Sequence, residues 1–452
     1  MRLFERMSRD LRLAGAAFRA LRAVGAIRPD SPRTFSDLFE ERVDAQPERL
    51  ALIQDERRID YADLDAMANR FARWALKQGI GRGDAVALLL GNRPELPAAW
   101  LGLAKIGAVG ALLNHHLRGR ALAHCAGVSG ARAIVVHAEF EQTWQEAASG
   151  LDDPPPVFVQ GGPTRGAEDL DPLLAALPSG RLDHAVRTGL RAGDDLLYIY
   201  TSGTTGLPKA ARVSHLRAIG ATQGGIVALG LTPEDRSYVA LPLYHSAGGV
   251  MALGGALLAG GSAVIAPSFS ASRFFEDCAK HEVTVFQYIG ELCRYLLATP
   301  EGPADRSHQI RACIGNGLRP EVWEPFQERF AIPRIVEFYG ATEGNVALMN
   351  YEGKVGSIGR MPRLLRELTG LRLIRYDVER EEHERDAEGH CIACGPGEPG
   401  EAIGRISSLA RFEGYTDRAA SDAKVMRDVF APGDAYFRTG DLLRFDEDDY
   451  FY

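Results

Sequence analysis

Tyr198-Ile-Tyr-Thr-Ser-Gly-Thr-Thr-Gly-Leu-Pro-Lys209 is the stretch on which the reading of the chain turns. An apolar strand runs into six consecutive small residues, Thr201, Ser202, Gly203, Thr204, Thr205 and Gly206, and Pro208 and Lys209 follow. Small residues let successive backbone N–H groups converge on an anion; the hydroxyls add donors and the lysine adds a full positive charge. Such a loop suits a triphosphate. It is not a Walker A loop, which needs G-x-x-x-x-G-K-[S/T], because Pro208 precedes the lysine and Ala210 follows it. The plain alternative, a flexible Gly/Thr turn, accounts poorly for six such residues between a strand and a lysine.

Around this loop the chain has the proportions of an ordinary globular protein. Its 452 residues suggest two or three packed units. Hydrophobic residues make up 46% and charged residues 25%, which excludes a mostly disordered chain. A net charge of −8 removes support for general nucleic-acid binding. Six cysteines are too sparse for a disulfide scaffold and fit a reduced cytosolic chain. The 49 glycines are roughly 11% of the chain against a usual ~7%, and they point to many tight backbone passages.

Strands and helices alternate. Phe35, Leu38, Phe39 and Val43 predict a helix capped by Ser36. Residues 85–90, AVALLL, form a short apolar run typical of a buried parallel strand. Asn92 then caps a helix with Pro94 in its first turn, and VGALL (109–113) completes a βαβ unit. ARAIVVH (131–137) adds a strand. LLYIYT (196–201), YVALPL (238–243), SAVIA (262–266), VTVFQY (283–288), RACIGNG (311–317) and RIVEFYG (334–340) are assigned to a second mostly parallel sheet. From Val355 the strands shorten and the turns become charged, an antiparallel, barrel-like pattern. The expected fold is α/β: two mostly parallel sheets flanked by helices, plus a smaller antiparallel β-barrel-like part. The expected divisions are 1–30, 31–190, 191–350 and 351–452.

Two segments raise the question of a membrane. Residues 1–28 carry seven arginines against Glu5 and Asp10, and Phe4, Met7, Leu11, Ala14, Phe18 and Leu21 form one helical stripe. Such a helix fits an anionic membrane surface, or packing on its own domain. From Ser237 to Ser272 there is no Asp, Glu, Lys or Arg, and 246–266, SAGGVMALGGALLAGGSAVIA, has the hydropathy of a spanning helix. Three Gly-Gly pairs argue against a spanning helix and for a buried helix ending near Gly260-Gly261, followed by a strand.

The block YIYTSGTTGLPKAARVSH resembles the signature of the adenylate-forming superfamily: acyl-CoA synthetases, luciferases and peptide-synthetase adenylation domains. Phe338-Tyr339-Gly340-Ala341-Thr342-Glu343-Gly344 is similar to its YG-x-TE motif, and Tyr436-Phe437-Arg438-Thr439-Gly440-Asp441 to its TGD motif. Within it, the blocks NRPELPAAWLGLAKIGAVGALLN, LRGRALAHC, GNGLRPEVW, FYGATEGN and GDLLRFDEDDYFY look most like the fatty acid transport protein and very-long-chain acyl-CoA synthetase branch.

The resemblance implies activation of a carboxylate by ATP to an acyl-adenylate, from which CoA displaces AMP. Two anions must meet in the first step, so charge neutralisation and in-line positioning are needed. Thr201–Gly206 and Lys209 would hold the β- and γ-phosphates. Thr201 and Glu343 would bind Mg²⁺, a hard cation suited to oxygen ligands. Thr342 would touch the α-phosphate. Tyr339, within Phe338–Ala341, would stack on adenine opposite Gly315, Asn316 and Gly317, and Asp441 would accept the ribose hydroxyls. His245, after Pro242-Leu243-Tyr244, would gate the acyl side. Cys391-x-x-Cys394 near His383 and His390 invites a zinc reading, but its improvised spacing reads as an inert loop.

The expected activity is long-chain or very-long-chain fatty acid–CoA ligation, with ATP, Mg²⁺ and CoA. A ligase for a bile acid or carnitine-type acid stands as one alternative, and a non-catalytic nucleotide- or lipid-binding transport partner as another. The expected partners are a fatty acid and CoA, with no nucleic acid; membrane contact through residues 1–28, at the inner face, and a homodimer are left open. In relatives the TGD segment continues through a hairpin to a hinge and a mobile domain carrying a catalytic lysine. This chain stops at Phe451-Tyr452. It is therefore expected to be the large N-terminal portion of a longer enzyme or a natural truncation, with reduced activity.

Overall fold

The computed structural model describes Asp10, Gly15 and residues 27–201, 206–407 and 410–452. Two compact units divide the chain: a larger one over 20–287 and 308–310, and a smaller one over 1–19, 288–307 and 311–452.

The larger unit contains two open sheets. The first has the order β7-β6-β5-β3-β4-β8-β9. Its strands are β3 (Ala85–Leu89), β4 (Val109–Leu112), β5 (Ala133–His137), β6 (Val157–Gln160), β7 (Glu168–Asp169), β8 (Asp195–Thr201) and β9 (Lys209–Ser214). All neighbours are parallel except β8 and β9. β3 and β4 are buried along their whole length, as a parallel sheet covered on both faces requires. The second sheet runs β2-β1-β11-β10-β12, from β1 (Leu50–Gln54), β2 (Arg57–Asp60), β10 (Arg236–Val239), β11 (Ser262–Ile265) and β12 (Val285–Ile289).

Here three expectations are corrected. LLYIYT belongs to the first sheet, because β8 pairs in parallel with β4 (Gly110↔Leu197, Leu112↔Ile199). Thr34, not Ser36, caps the helix Phe35–Ala45, in a capping box with Asp37. Asn92 does not cap the helix Glu95–Lys105, whose N-cap position is Pro94. Its buried amide instead donates to the Leu241 and Ala266 carbonyls and accepts from Leu243 N–H. A side chain with both donors and an acceptor can satisfy three backbone groups at once, and burial makes that the stronger demand.

The apolar segment behaves as expected. A π-helix, Ser246–Leu253, continues into an α-helix, Gly254–Ala259. Gly260 ends it at φ +82°, and β11 follows. Among the described residues no helix is long and apolar enough to cross a membrane. The larger unit also buries Lys105 completely; its ammonium donates to Glu40 and Asp65 at 2.6 Å each, and Arg187 pairs with Glu40 at 2.8 Å.

In the smaller unit β13 (Ala312–Asn316) pairs in parallel with β14 (Ile335–Gly340), and β14 antiparallel with β15 (Ala347–Asn350). Beyond them every pairing is antiparallel. β16 (Gly359–Arg360) meets β23 (Tyr450–Phe451), and β18 (Tyr376–Asp377) meets β19 (Glu382–His383). β17 (Leu371–Ile374), β20 (Gly400–Arg405), β21 (Val425–Arg427) and β22 (Ala435–Leu443) form a sheet in the order β17-β20-β22-β21. Of the basic N-terminal stretch, Asp10 accepts from the buried Arg360 guanidinium at 2.5 Å.

Candidate nucleotide-binding site

In the larger unit the glycine loop joins two antiparallel strands. β8 and β9 are in register through Tyr200↔Ala210 and Thr201↔Lys209, so Thr201 and Lys209 face each other across the mouth of the loop. Gly206 has φ +85°, a conformation that side chains with a Cβ rarely adopt. Ser202, Gly203, Thr204 and Thr205 lie outside the described residues. The Thr201 hydroxyl is buried and has no hydrogen-bond partner among the described residues. A buried, unpaired hydroxyl costs about 1–3 kcal/mol, and a cation or a phosphate oxygen would satisfy it.

His245 sits at the start of the π-helix, a distortion found disproportionately at functional sites. Its ring lies 4.4 Å from that of Tyr244, and burial lowers its pKa, favouring the neutral imidazole. Tyr244 in turn meets His115 edge-on at 5.4 Å, and His115 lies 4.2 Å from His116. Burial, then the neighbouring His116, pushes His115 down to about 4. Its Nδ1 has no hydrogen-bond partner among the described residues. This ring cluster was not predicted as a site, since adjacent histidines in a loop give no signal of what folds against them.

The smaller unit holds the other named residues. β13 delivers Gly315, Asn316 and Gly317. A Cβ on Gly315 would overlap the Tyr288 carbonyl and ring, so only glycine fits there. Gly317 takes φ +79°. Asn316, Gly317 and Leu318 line an open cleft of about 620 Å³, together with Glu337, Gly290 and Ile358. Glu337 is the site residue that sequence reasoning missed. It is 1% exposed, and it accepts from Tyr288 Oη at 2.5 Å and from Leu318 N–H at 3.1 Å. Burial outweighs these donors and raises its pKa to about 7. A carboxylate within the apolar run IVEFY was the available signal.

β14 carries Phe338, Tyr339 and Gly340, and Ala341, Thr342 and Glu343 follow it. Tyr339 Oη donates to Asp441 Oδ2 at 2.5 Å, so two residues of separate motifs meet. Burial, reinforced by this bond to a carboxylate, raises the Tyr339 pKa. Glu343 is buried, and its Oε1 accepts from Tyr415 Oη at 2.7 Å. A buried carboxylate held at one oxygen is a suitable ligand for a hard divalent cation. Around the cysteines, His383 pairs with Glu401 at 2.6 Å and the Cys394 thiol points to the Pro399 carbonyl.

Comparison with known proteins gives the family and the fold. The model of the AMP-binding enzyme family matches residues 39–401. Long-chain fatty acid transport protein 1 of Mus musculus is 43% identical over 429 residues, 93% of this chain and 66% of that protein. Long-chain fatty acid transport protein 2 of Rattus norvegicus is 38% identical over 448 residues, 98% of this chain and 72% of that protein. The chain thus spans about two thirds of the length of the curated relatives it matches. Among solved structures, the anthranilate CoA ligase AuaEII in complex with anthranoyl-AMP shares the fold, with a TM-score of 0.79 at 22% identity over 93% of this chain and 77% of that one. The chain belongs to the AMP-binding enzyme family and, within it, to the long-chain fatty acid transport proteins.

Proposed function

We propose that the protein activates long or very long fatty acids with ATP, forming an acyl-adenylate and then the CoA thioester. The observation that carries this reading is the β8–β9 hairpin, which sets Lys209 opposite Thr201, whose buried hydroxyl has no hydrogen-bond partner among the described residues, at the two ends of a glycine- and threonine-rich sequence. Thr201–Gly206 and Lys209 hold the β- and γ-phosphates, and Thr342 contacts the α-phosphate. Tyr339 stacks on adenine, with Gly315–Gly317 as the opposite wall, and Asp441 takes the ribose hydroxyls. His245, neutral at pH 7, screens the acyl side from the phosphates. Thr201 and Glu343 are the residues that would hold Mg²⁺, which would supply charge neutralisation of the phosphate oxygens. The names of the relatives support a fatty acid as the carboxylate.

Incubation with ATP, Mg²⁺, CoA and acids from C8 to C24 should release AMP with a long-chain preference. No AMP or pyrophosphate with any of them refutes the reading, and preference for a bile acid or for carnitine would move it to another acid. The basic, striped segment 1–28 supports peripheral contact with an anionic membrane. Co-sedimentation with phosphatidylserine vesicles, absent with neutral ones, is the expected result. Sedimentation in solution tests for a homodimer.

A further inference from the structure

The hairpin that carries Thr201 and Lys209 is held at both shoulders by one turn of a single helix. The helix Gly119–Val128 shares a hydrophobic core with the hairpin through Leu122, Cys125, Ala126, Tyr200 and Ala210. Two hydrogen bonds leave its consecutive residues His124 and Cys125. Tyr200 Oη donates to the Cys125 carbonyl at 2.6 Å, and His124 Nε2 lies 3.1 Å from the Pro208 carbonyl. A carbonyl only accepts, so His124 carries its proton on Nε2.

The positions matter. Tyr200 immediately precedes Thr201, and Pro208 immediately precedes Lys209; Thr201↔Lys209 is the last pair of the β8–β9 ladder before the loop. Pro208 has no N–H, so its carbonyl is the one backbone polar group by which that shoulder can be held. The Cys125 carbonyl lies in the last turn of its helix, where carbonyls take partners from outside.

We propose that His124 is a positioning residue for the phosphate grip, acting with the Tyr200–Cys125 bond to set the spacing and direction of Thr201 and Lys209. The proposal rests on the reading that this loop holds the β- and γ-phosphates of ATP. It follows that the bracket tunes affinity for ATP but not for AMP, which lacks those phosphates. A histidine serving the fold alone would affect both nucleotides alike.

The test is calorimetric titration of the intact chain with MgATP and, separately, with AMP. His124→Phe keeps the ring volume and loses the donor; it should weaken ATP about five- to tenfold, the loss of one hydrogen bond, and leave AMP within about twofold. His124→Gln, which places an N–H₂ near the Nε2 position, should restore most of the ATP affinity. Tyr200→Phe removes the other arm without changing the packed ring and should copy His124→Phe, which keeps the test decisive should the histidine variant fail to fold. Unchanged ATP affinity in both donor-deleted variants overturns the proposal. A parallel loss of ATP and AMP, or no recovery with Gln, does the same. A wild-type chain that binds no ATP refutes the reading of the site and this proposal with it.

Discussion

Replacing Glu337 by glutamine should stabilise the protein at pH 8 and do little at pH 5. The carboxyl is 1% exposed and its pKa is raised by burial from 4.5 to about 7. Below pH 4.5 the folded and unfolded chains both keep the proton, and ionisation favours neither. Between 4.5 and 7 the unfolded chain releases it while the folded one retains it, so stability falls as pH rises. Above 7 the full difference of about 2.5 pKa units is present, a cost of about 3 kcal/mol. Glutamine never ionises and avoids that cost.

The local hydrogen bonds can survive the exchange. Leu318 N–H donates equally well to an amide oxygen. Tyr288 Oη, which lies 3.3 Å from the Val336 carbonyl, can donate there and accept from the new amide instead. Urea denaturation of both proteins at pH 5, 6, 7 and 8 measures the effect. The stability difference should grow by about 2–3 kcal/mol in favour of the glutamine variant from pH 5 to pH 8. A difference that stays constant with pH, or one that moves the other way, would show that Glu337 is ionised in the folded protein and that burial does not dominate its environment.

Three further outcomes are expected. Lys105→Met leaves the buried Asp65 carboxylate without its cation, while Glu40 keeps Arg187; a loss of about 3–5 kcal/mol in denaturation experiments should follow. Gly315→Ala drives a methyl into the Tyr288 carbonyl and ring, and it should cost about 1–3 kcal/mol of stability and weaken ATP binding by calorimetry. Tyr415→Phe frees the Glu343 oxygen it holds at 2.7 Å, so, if Glu343 holds Mg²⁺ as proposed, half-saturation by Mg²⁺ in an AMP-release assay should rise about tenfold, whereas an unchanged Mg²⁺ dependence would remove Glu343 from the proposed metal site.

Much of the architecture could be read along the chain because local patterns carry it. AVALL and VGAL are buried on both faces and appear as unbroken apolar runs, and the Gly260 stop appears as a glycine pair before a strand. The partner of a strand was less legible. LLYIYT follows a loop-rich crossing and looks like the start of a new sheet, yet it inserts beside β4. Nothing within six apolar residues encodes which edge of which sheet they complete. The caps failed for a related reason. Thr34, Ser36 and Asn92 are all capable caps, and Asn92 was taken by three backbone groups distant in sequence.

Residue types and spacing reject a Walker A loop and single out 201–206, Tyr339, Glu343 and Asp441 as candidates for holding a nucleotide, because short-range backbone geometry and charge would carry that chemistry. Only the folded chain brought Tyr339 onto Asp441, Tyr415 onto Glu343, and His124 and Cys125 onto the two shoulders of the loop. Only burial could turn Glu337 from an ordinary carboxylate into one that titrates near neutrality. Such contacts join residues up to about a hundred positions apart, and both desolvation and hydrogen-bond partnership are properties of what surrounds a group in space.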